Sequence, residues 1–102
     1  MADDKSEGEK VSVALSKPVK AHGDEVSELS FREPTVADIE AAGGNPVLLD
    51  MASDPPKADF DARRMVAMLS RLGDVPVSTI RMMNSNDFAS CCWAVSGFFV
   101  PR

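Results

Sequence analysis

The run from Phe88 to Val100 reads Phe-Ala-Ser-Cys-Cys-Trp-Ala-Val-Ser-Gly-Phe-Phe-Val and contains no charged residue. At about 3.6 residues per turn, Phe88, Cys91, Cys92, Val95 and Phe99 share one face of a helix, while Ser90, Trp93 and Gly97 share the opposite one. A surface helix ordinarily carries a charged outer stripe, which keeps that side solvated. A helix without one is either wrapped by the rest of a small domain or offered to another protein. Crossing a bilayer takes about 20 apolar residues, more than this run supplies. The last helix is therefore core, partner surface, or one face of each.

A chain of 102 residues builds one domain at most, with a single modest core. Its 16 acidic residues against 11 basic ones leave a formal charge of −5. That balance argues against nucleic acid, whose binding rests largely on neutralised phosphates, and against an anionic membrane surface. No apolar run follows Met1-Ala2-Asp3-Asp4, so a signal peptide is not expected and the cytosol is the expected compartment. The only cysteines, Cys91 and Cys92, are adjacent. Neighbouring cysteines rarely pair, and the cytosol keeps thiols reduced.

Residues 1–10 are charged and small, without periodicity, and are expected to form a disordered acidic tail. Residues 11–102 are expected to form a single α+β domain, an N-terminal β-hairpin (11–32) packed on a small C-terminal bundle of three to four short helices. Val11, Val13 and Leu15 alternate with small or polar residues, as in a half-buried strand. Pro18 requires an edge, and His22-Gly23-Asp24 supplies a turn. Leu29 and Phe31 give the returning strand; Val26 is out of phase with them and implies a bulge or a late strand start.

Thr35 and Asp38 form a capping-box pattern for a helix over about 35–42 that stops at Gly43-Gly44. Further helices are expected over about 46–52, 59–72, 76–83 and 86–99. The third begins at Asp59 or Asp61, carries Ala62, Met65, Val66, Leu69 and Leu72 on one stripe, and has Gly73 as its stop. Asn84 to Asp87 form a dense cap before the last helix. Methionines such as Met65, Met68, Met82 and Met83 fill gaps in cores and can also make an adaptable binding surface.

Chemical machinery is not apparent. There is no glycine-rich phosphate loop and no spaced Cys/His set for a metal. His22 reads as an exposed turn residue, and Cys91 and Cys92 as inert core thiols. Neither enzyme activity, nor a cofactor, nor a metal is expected.

The order of the pieces carries more information than any single one. Leu15-Ser16-Lys17-Pro18 precedes a Gly23 turn. Then come Leu29-Ser30-Phe31-Arg32-Glu33-Pro34-Thr35 with Asp38, and Leu69-Ser70-Arg71-Leu72-Gly73-Asp74-Val75-Pro76. Asp87 and a closing Phe98-Phe99 follow. This order, over about residues 11–100, resembles the tail assembly chaperones of contractile-tailed, Mu-like phages and prophages. The Pro55-Pro56 loop, Trp93 and the paired cysteines depart from that pattern.

The resemblance implies a non-catalytic helper in the bacterial host cytoplasm. It would bind the tape-measure protein, help recruit tail-tube protein subunits, and be absent from the mature virion. The competing reading is a structural tail or baseplate component retained in the virion. The candidate partner contacts are Arg32 and Glu33 as a polar edge, Asp38, Met82 and Met83, and Trp93, Phe98 and Phe99 of the last helix. Trp93 and that helix could equally serve a homo-oligomer, since such interfaces are rich in aromatics.

Overall fold

The computed structural model describes residues 10–99. Two strands, β1 (Lys10–Ala21) and β2 (Asp24–Arg32), lead into α1 (Val36–Ala41), β3 (Val47–Asp50) and β4 (Lys57–Phe60). Three helices follow, α2 (Ala62–Gly73), α3 (Val77–Met82) and α4 (Ser85–Ser96), and a 3-10 turn, Gly97–Phe99, completes the order. The fold is α+β, with the N-terminal hairpin first and the helices after it. The expected acidic tail lies outside the described residues, except for Lys10, which opens β1.

β1 and β2 pair antiparallel, with Val11 opposite Phe31 and Val13 opposite Leu29. Because opposed residues share a face, these four and Leu15 present one apolar surface to the helices. The ladder breaks between Ala14 and Val19, where Leu15 to Pro18 stand across from Ser27 alone. Val26 then pairs with Val19, which accounts for its being out of phase. The extra residues sit in β1, and they place Pro18 where no ladder donor is needed. His22 (φ 55°) and Gly23 (φ 86°) form the two-residue tip, the positive-φ pair that matches strand twist.

One core lies between this hairpin and the helices. Phe31, Met65, Met68, Leu69, Ile80, Cys91, Cys92 and Val95 are essentially inaccessible to solvent. Each large side chain so buried contributes on the order of 1.5–3 kcal/mol. The last helix presents Cys91, Cys92 and Val95 to this core and leaves Trp93 exposed, so one uncharged face is core and the other is open.

Residues 46–52, expected as a helix, contain β3 instead, paired with β4 from Val47 opposite Phe60 to Asp50 opposite Lys57. A four-residue apolar run does not distinguish helix from strand by periodicity. Here Asn45 Oδ1 accepts the Val47 N–H at 2.9 Å, an Asx turn that consumes a donor a helix start would use. The strand over Lys57–Phe60 supplies the ladder, and it also delays α2. Asp61, not Asp59, is the N-cap, accepting the Arg64 N–H at 3.1 Å.

Gly73 is also not the left-handed stop expected of it. It is the last helical residue, and Asp74 takes the left-handed position (φ 56°, ψ 47°). Gly73 is required for closeness: a Cβ there would lie 2.9 Å from the Phe31 ring.

Candidate functional site

Three polar side chains are buried among the described residues, Asp38, Thr79 and Asp87, and each ties the first hairpin to a helix. Asp87 belongs to the first turn of α4, where Asn84 Oδ1 accepts its N–H at 2.7 Å. Its carboxylate accepts the Ser16 N–H at 3.0 Å and the Lys17 N–H at 3.3 Å, the donors that the bulge releases from the ladder. These bonds hold the carboxyl below its usual range against the opposing effect of burial. At the hairpin tip, Thr79 Oγ1 donates to the Lys20 carbonyl at 2.6 Å, and His22 Nε2 donates to the Asp74 carbonyl at 2.9 Å.

Asp38 joins three elements at the other end of the hairpin. Its carboxylate accepts from Arg32 Nη1 at 2.8 Å and Nη2 at 3.0 Å, from Arg71 Nε at 3.0 Å, and from the Thr35 N–H at 2.8 Å. The Thr35 bond is half of a capping box, completed by the Asp38 N–H on Thr35 Oγ1. Led by the Arg32 hydrogen bonds, these donors hold the Asp38 carboxyl well below the usual carboxylate range, although burial opposes them. The same partnership raises Arg32. Asp38 is 2% exposed, so it organises this corner and is not itself a contact surface. Glu33 is exposed beside it.

The remaining candidates divide in the same way. Met83 and Phe99 are buried and belong to the core. Phe98 is half-buried, whereas Met82 (59% exposed) and Trp93 (65%) are open. Trp93 does not stand alone, because its ring meets Phe60 edge-on, with centroids 5.2 Å apart.

That contact leads to a surface the sequence reading did not anticipate. Residues opposed in the β3–β4 ladder share a face. One face of the ribbon therefore carries Val47 with Phe60 and, beyond them, Leu49 with Ala58. The other carries Leu48 with Asp59 and Asp50 with Lys57. Val47 is buried, Phe60 half-buried and Leu49 42% exposed, so the apolar face runs outward from the core into solvent, flanked by Trp93. Among the described residues the ribbon has two strands, so each carries an unpaired outer edge. The period-two pattern Val47, Leu49 and Ala58, Phe60 was available in the sequence, but it becomes a signal only once the strands are known to pair.

The chemistry elsewhere is muted. Burial pushes the Cys91 thiol up to about 12 and the Cys92 thiol up to about 11, leaving little nucleophilic thiolate near neutral pH. Among the described residues, no three His, Cys, Asp or Glu side chains converge as metal ligands would. No helix among them is long and apolar enough to cross a membrane.

No curated protein and no solved structure matches this chain. A family model described as "Phage tail assembly chaperone proteins, E, or 41 or 14" matches residues 12–100, which takes in nearly every described element. The chain therefore belongs to the phage tail assembly chaperone proteins.

Proposed function

We propose that this chain binds the tape-measure protein during tail assembly in the bacterial host cytoplasm, shields its apolar helical segments, and helps recruit tail-tube subunits. It acts as a non-catalytic helper and leaves before the virion is complete. The observation that carries this reading is the apolar face of the β3–β4 ribbon with Trp93 beside it, open to solvent on a member of this family. A client presenting alternating apolar turns of helix would lay them against such a surface, with Leu49 and Trp93 as anchors. Aromatic anchors at the centre of a buried patch ordinarily dominate affinity. Exposed Met82 suits the same task, since thioethers adapt to varied apolar partners.

The test is co-expression of the tagged chain with the tape-measure protein of the same phage. A soluble complex is expected from the parent, and none from Trp93→Asp or Leu49→Asp variants whose circular dichroism and melting match the parent's. A well-folded parent that elutes alone would overturn the reading. Stoichiometric retention of the chain in purified virions, read by mass spectrometry, would replace it with a structural tail component.

A further inference from the structure

A second surface uses none of the residues of the apolar face. Where β1 begins and both β2 and α2 end, a cleft of about 630 Å³ opens between Lys10, Ser30, Arg32, Arg71 and Asp74. Three of these side chains are cationic and one is anionic, on a chain of net charge −5. Lys10 and Arg32 stand directly opposite each other across the ladder, and like charges so placed are destabilising. Asp38 relieves part of this from behind the wall, but one carboxylate there serves two guanidiniums.

Arg71 shows where the unspent charge points. Its Nε is fixed on Asp38 at 3.0 Å, and its side chain remains 43% exposed. Among the described residues, its two terminal nitrogens have no hydrogen-bond acceptor. A guanidinium held at one side and open at the other suits a planar carboxylate, which takes two parallel N–H bonds.

We infer that this cleft binds an acidic segment of a partner protein, with a carboxylate seated on the terminal nitrogens of Arg71 between Lys10 and Arg32. A short acidic segment needs only the local reversal of potential that the cleft provides. A nucleic acid is a poorer fit, because a long polyanion would run from the cleft onto a surface of the opposite requirement. The inference neither uses nor needs the tape-measure reading, and each can fail without the other.

The test uses the full chain and a fluorescein-labelled peptide of four Glu-Ala repeats, read by anisotropy at low salt, with the Gln-Ala peptide as its neutral counterpart. The acidic peptide is expected to bind and the neutral one not to, with affinity falling as salt rises. Arg71→Met should weaken binding about tenfold, the effect of one charge-assisted pair. Because Arg71 also braces Asp38, a second variant is needed that leaves that bond intact. Asp74→Asn removes the one anion of the wall, keeps a residue that tolerates the left-handed position, and should tighten binding about two- to threefold.

Equal binding of the two peptides, or no response to either substitution, would overturn the inference. So would a thymidine oligonucleotide of equal charge that binds as tightly and responds to the same substitutions. A variant with Asp3, Asp4, Glu7 and Glu9 converted to their amides separates the remaining occupant. Peptide binding seen only in that variant would assign the cleft to the chain's own acidic residues and overturn a partner's segment as its occupant.

Discussion

Replacing Asp38 by Asn preserves shape and removes one charge, and the consequence can be worked from the bonds at that corner. The carboxylate accepts two bonds from Arg32, one from Arg71, and two from Thr35, through its N–H and its Oγ1. Loss of the reciprocal cap costs about 1 kcal/mol. The two arginines are 41% and 43% exposed and can be resolvated, so each pair is discounted to about 0.5 kcal/mol. An amide N–H turned toward these donors adds a buried, poorly satisfied group at about 1 kcal/mol. The expected loss is therefore about 2–3 kcal/mol, a large part of the roughly 5–15 kcal/mol that holds a domain together.

Urea unfolding followed by far-ultraviolet circular dichroism measures this loss. With a slope of about 1–3 kcal/mol per molar for a small protein, the midpoint should fall by roughly 1–3 M. The pH dependence supplies a stricter check. Asp38 is held below its ordinary range when folded, so its contribution is fully present above the unfolded value of about 4 and is lost as pH falls toward the folded value. The variant has no such group. The gap between parent and variant should be constant from about pH 7 to pH 5 and should narrow below about pH 4. Asp87 titrates in both proteins and cancels from the difference. A gap below about 0.5 kcal/mol at neutral pH, or one that does not change with pH, would refute the role given to this carboxylate.

The other expectations concern the core. Gly73→Ala should lower the melting temperature: forcing a Cβ to 2.9 Å from the fully buried Phe31 ring costs about 1–3 kcal/mol, more than the gain in helix propensity of up to about 1 kcal/mol. An alanine variant that melts at or above the parent would contradict this. Thr79→Val keeps volume but strands the Lys20 carbonyl, whose bond to Thr79 Oγ1 measures 2.6 Å, and should cost about 1–2 kcal/mol in urea unfolding. An unchanged midpoint would count against that bond. Cys91 and Cys92 should react with a thiol reagent slowly in buffer and fully in urea, because both are buried and raised toward about 12 and 11. Prompt labelling of the native chain would show that α4 does not stay docked.

The parts of this fold that were legible in the sequence are those where local signals agree with tertiary ones. The alternation Val11, Val13, Leu15 and the stripe Met65, Leu69, Leu72 each name a face that must be buried, and the core buries all of them except Val11, which packs half-buried against it. Thr35 with Asp38 and Asn84 before Asp87 announce helix starts because capping is settled within four residues. The second hairpin was not legible. Val47–Asp50 and Lys57–Phe60 are four residues each, too short to show a period, and they become strands only through each other. The same limit hid most of the candidate surface. Trp93 was visible as the one large residue on the outer side of the last helix. Leu49, Ala58 and Phe60 had no common face until the ladder gave them one. Asp38 looked like a cap and is one, but the distance to Arg71 along the chain concealed that it is also the anion of a three-element corner.

The distribution of polar contacts explains how one small chain can be firm in one half and open in the other. The first hairpin is fastened at its bulge by Asp87, at its end by Asp38, and at its tip by Thr79 and by the His22 bond to Asp74, so elements from α1 to α4 hold it from three places. Among the described residues the β3–β4 ribbon is fastened near its root, where the Asp61 N–H meets the Pro46 carbonyl at 2.9 Å, Arg64 Nη1 reaches the Asn45 carbonyl at 3.3 Å, and Val47 and Phe60 meet the core and Trp93. Further out, Leu49 and Ala58 are exposed. Changes at the root must therefore disturb folding, while changes at exposed Leu49 leave the core untouched. Trp93 stands between these cases, since it props Phe60 with one edge and meets solvent with the rest of its surface. The outer face of such a ribbon can be reshaped residue by residue while the core beneath it is left alone, and that separation is what the client binding proposed above would draw on.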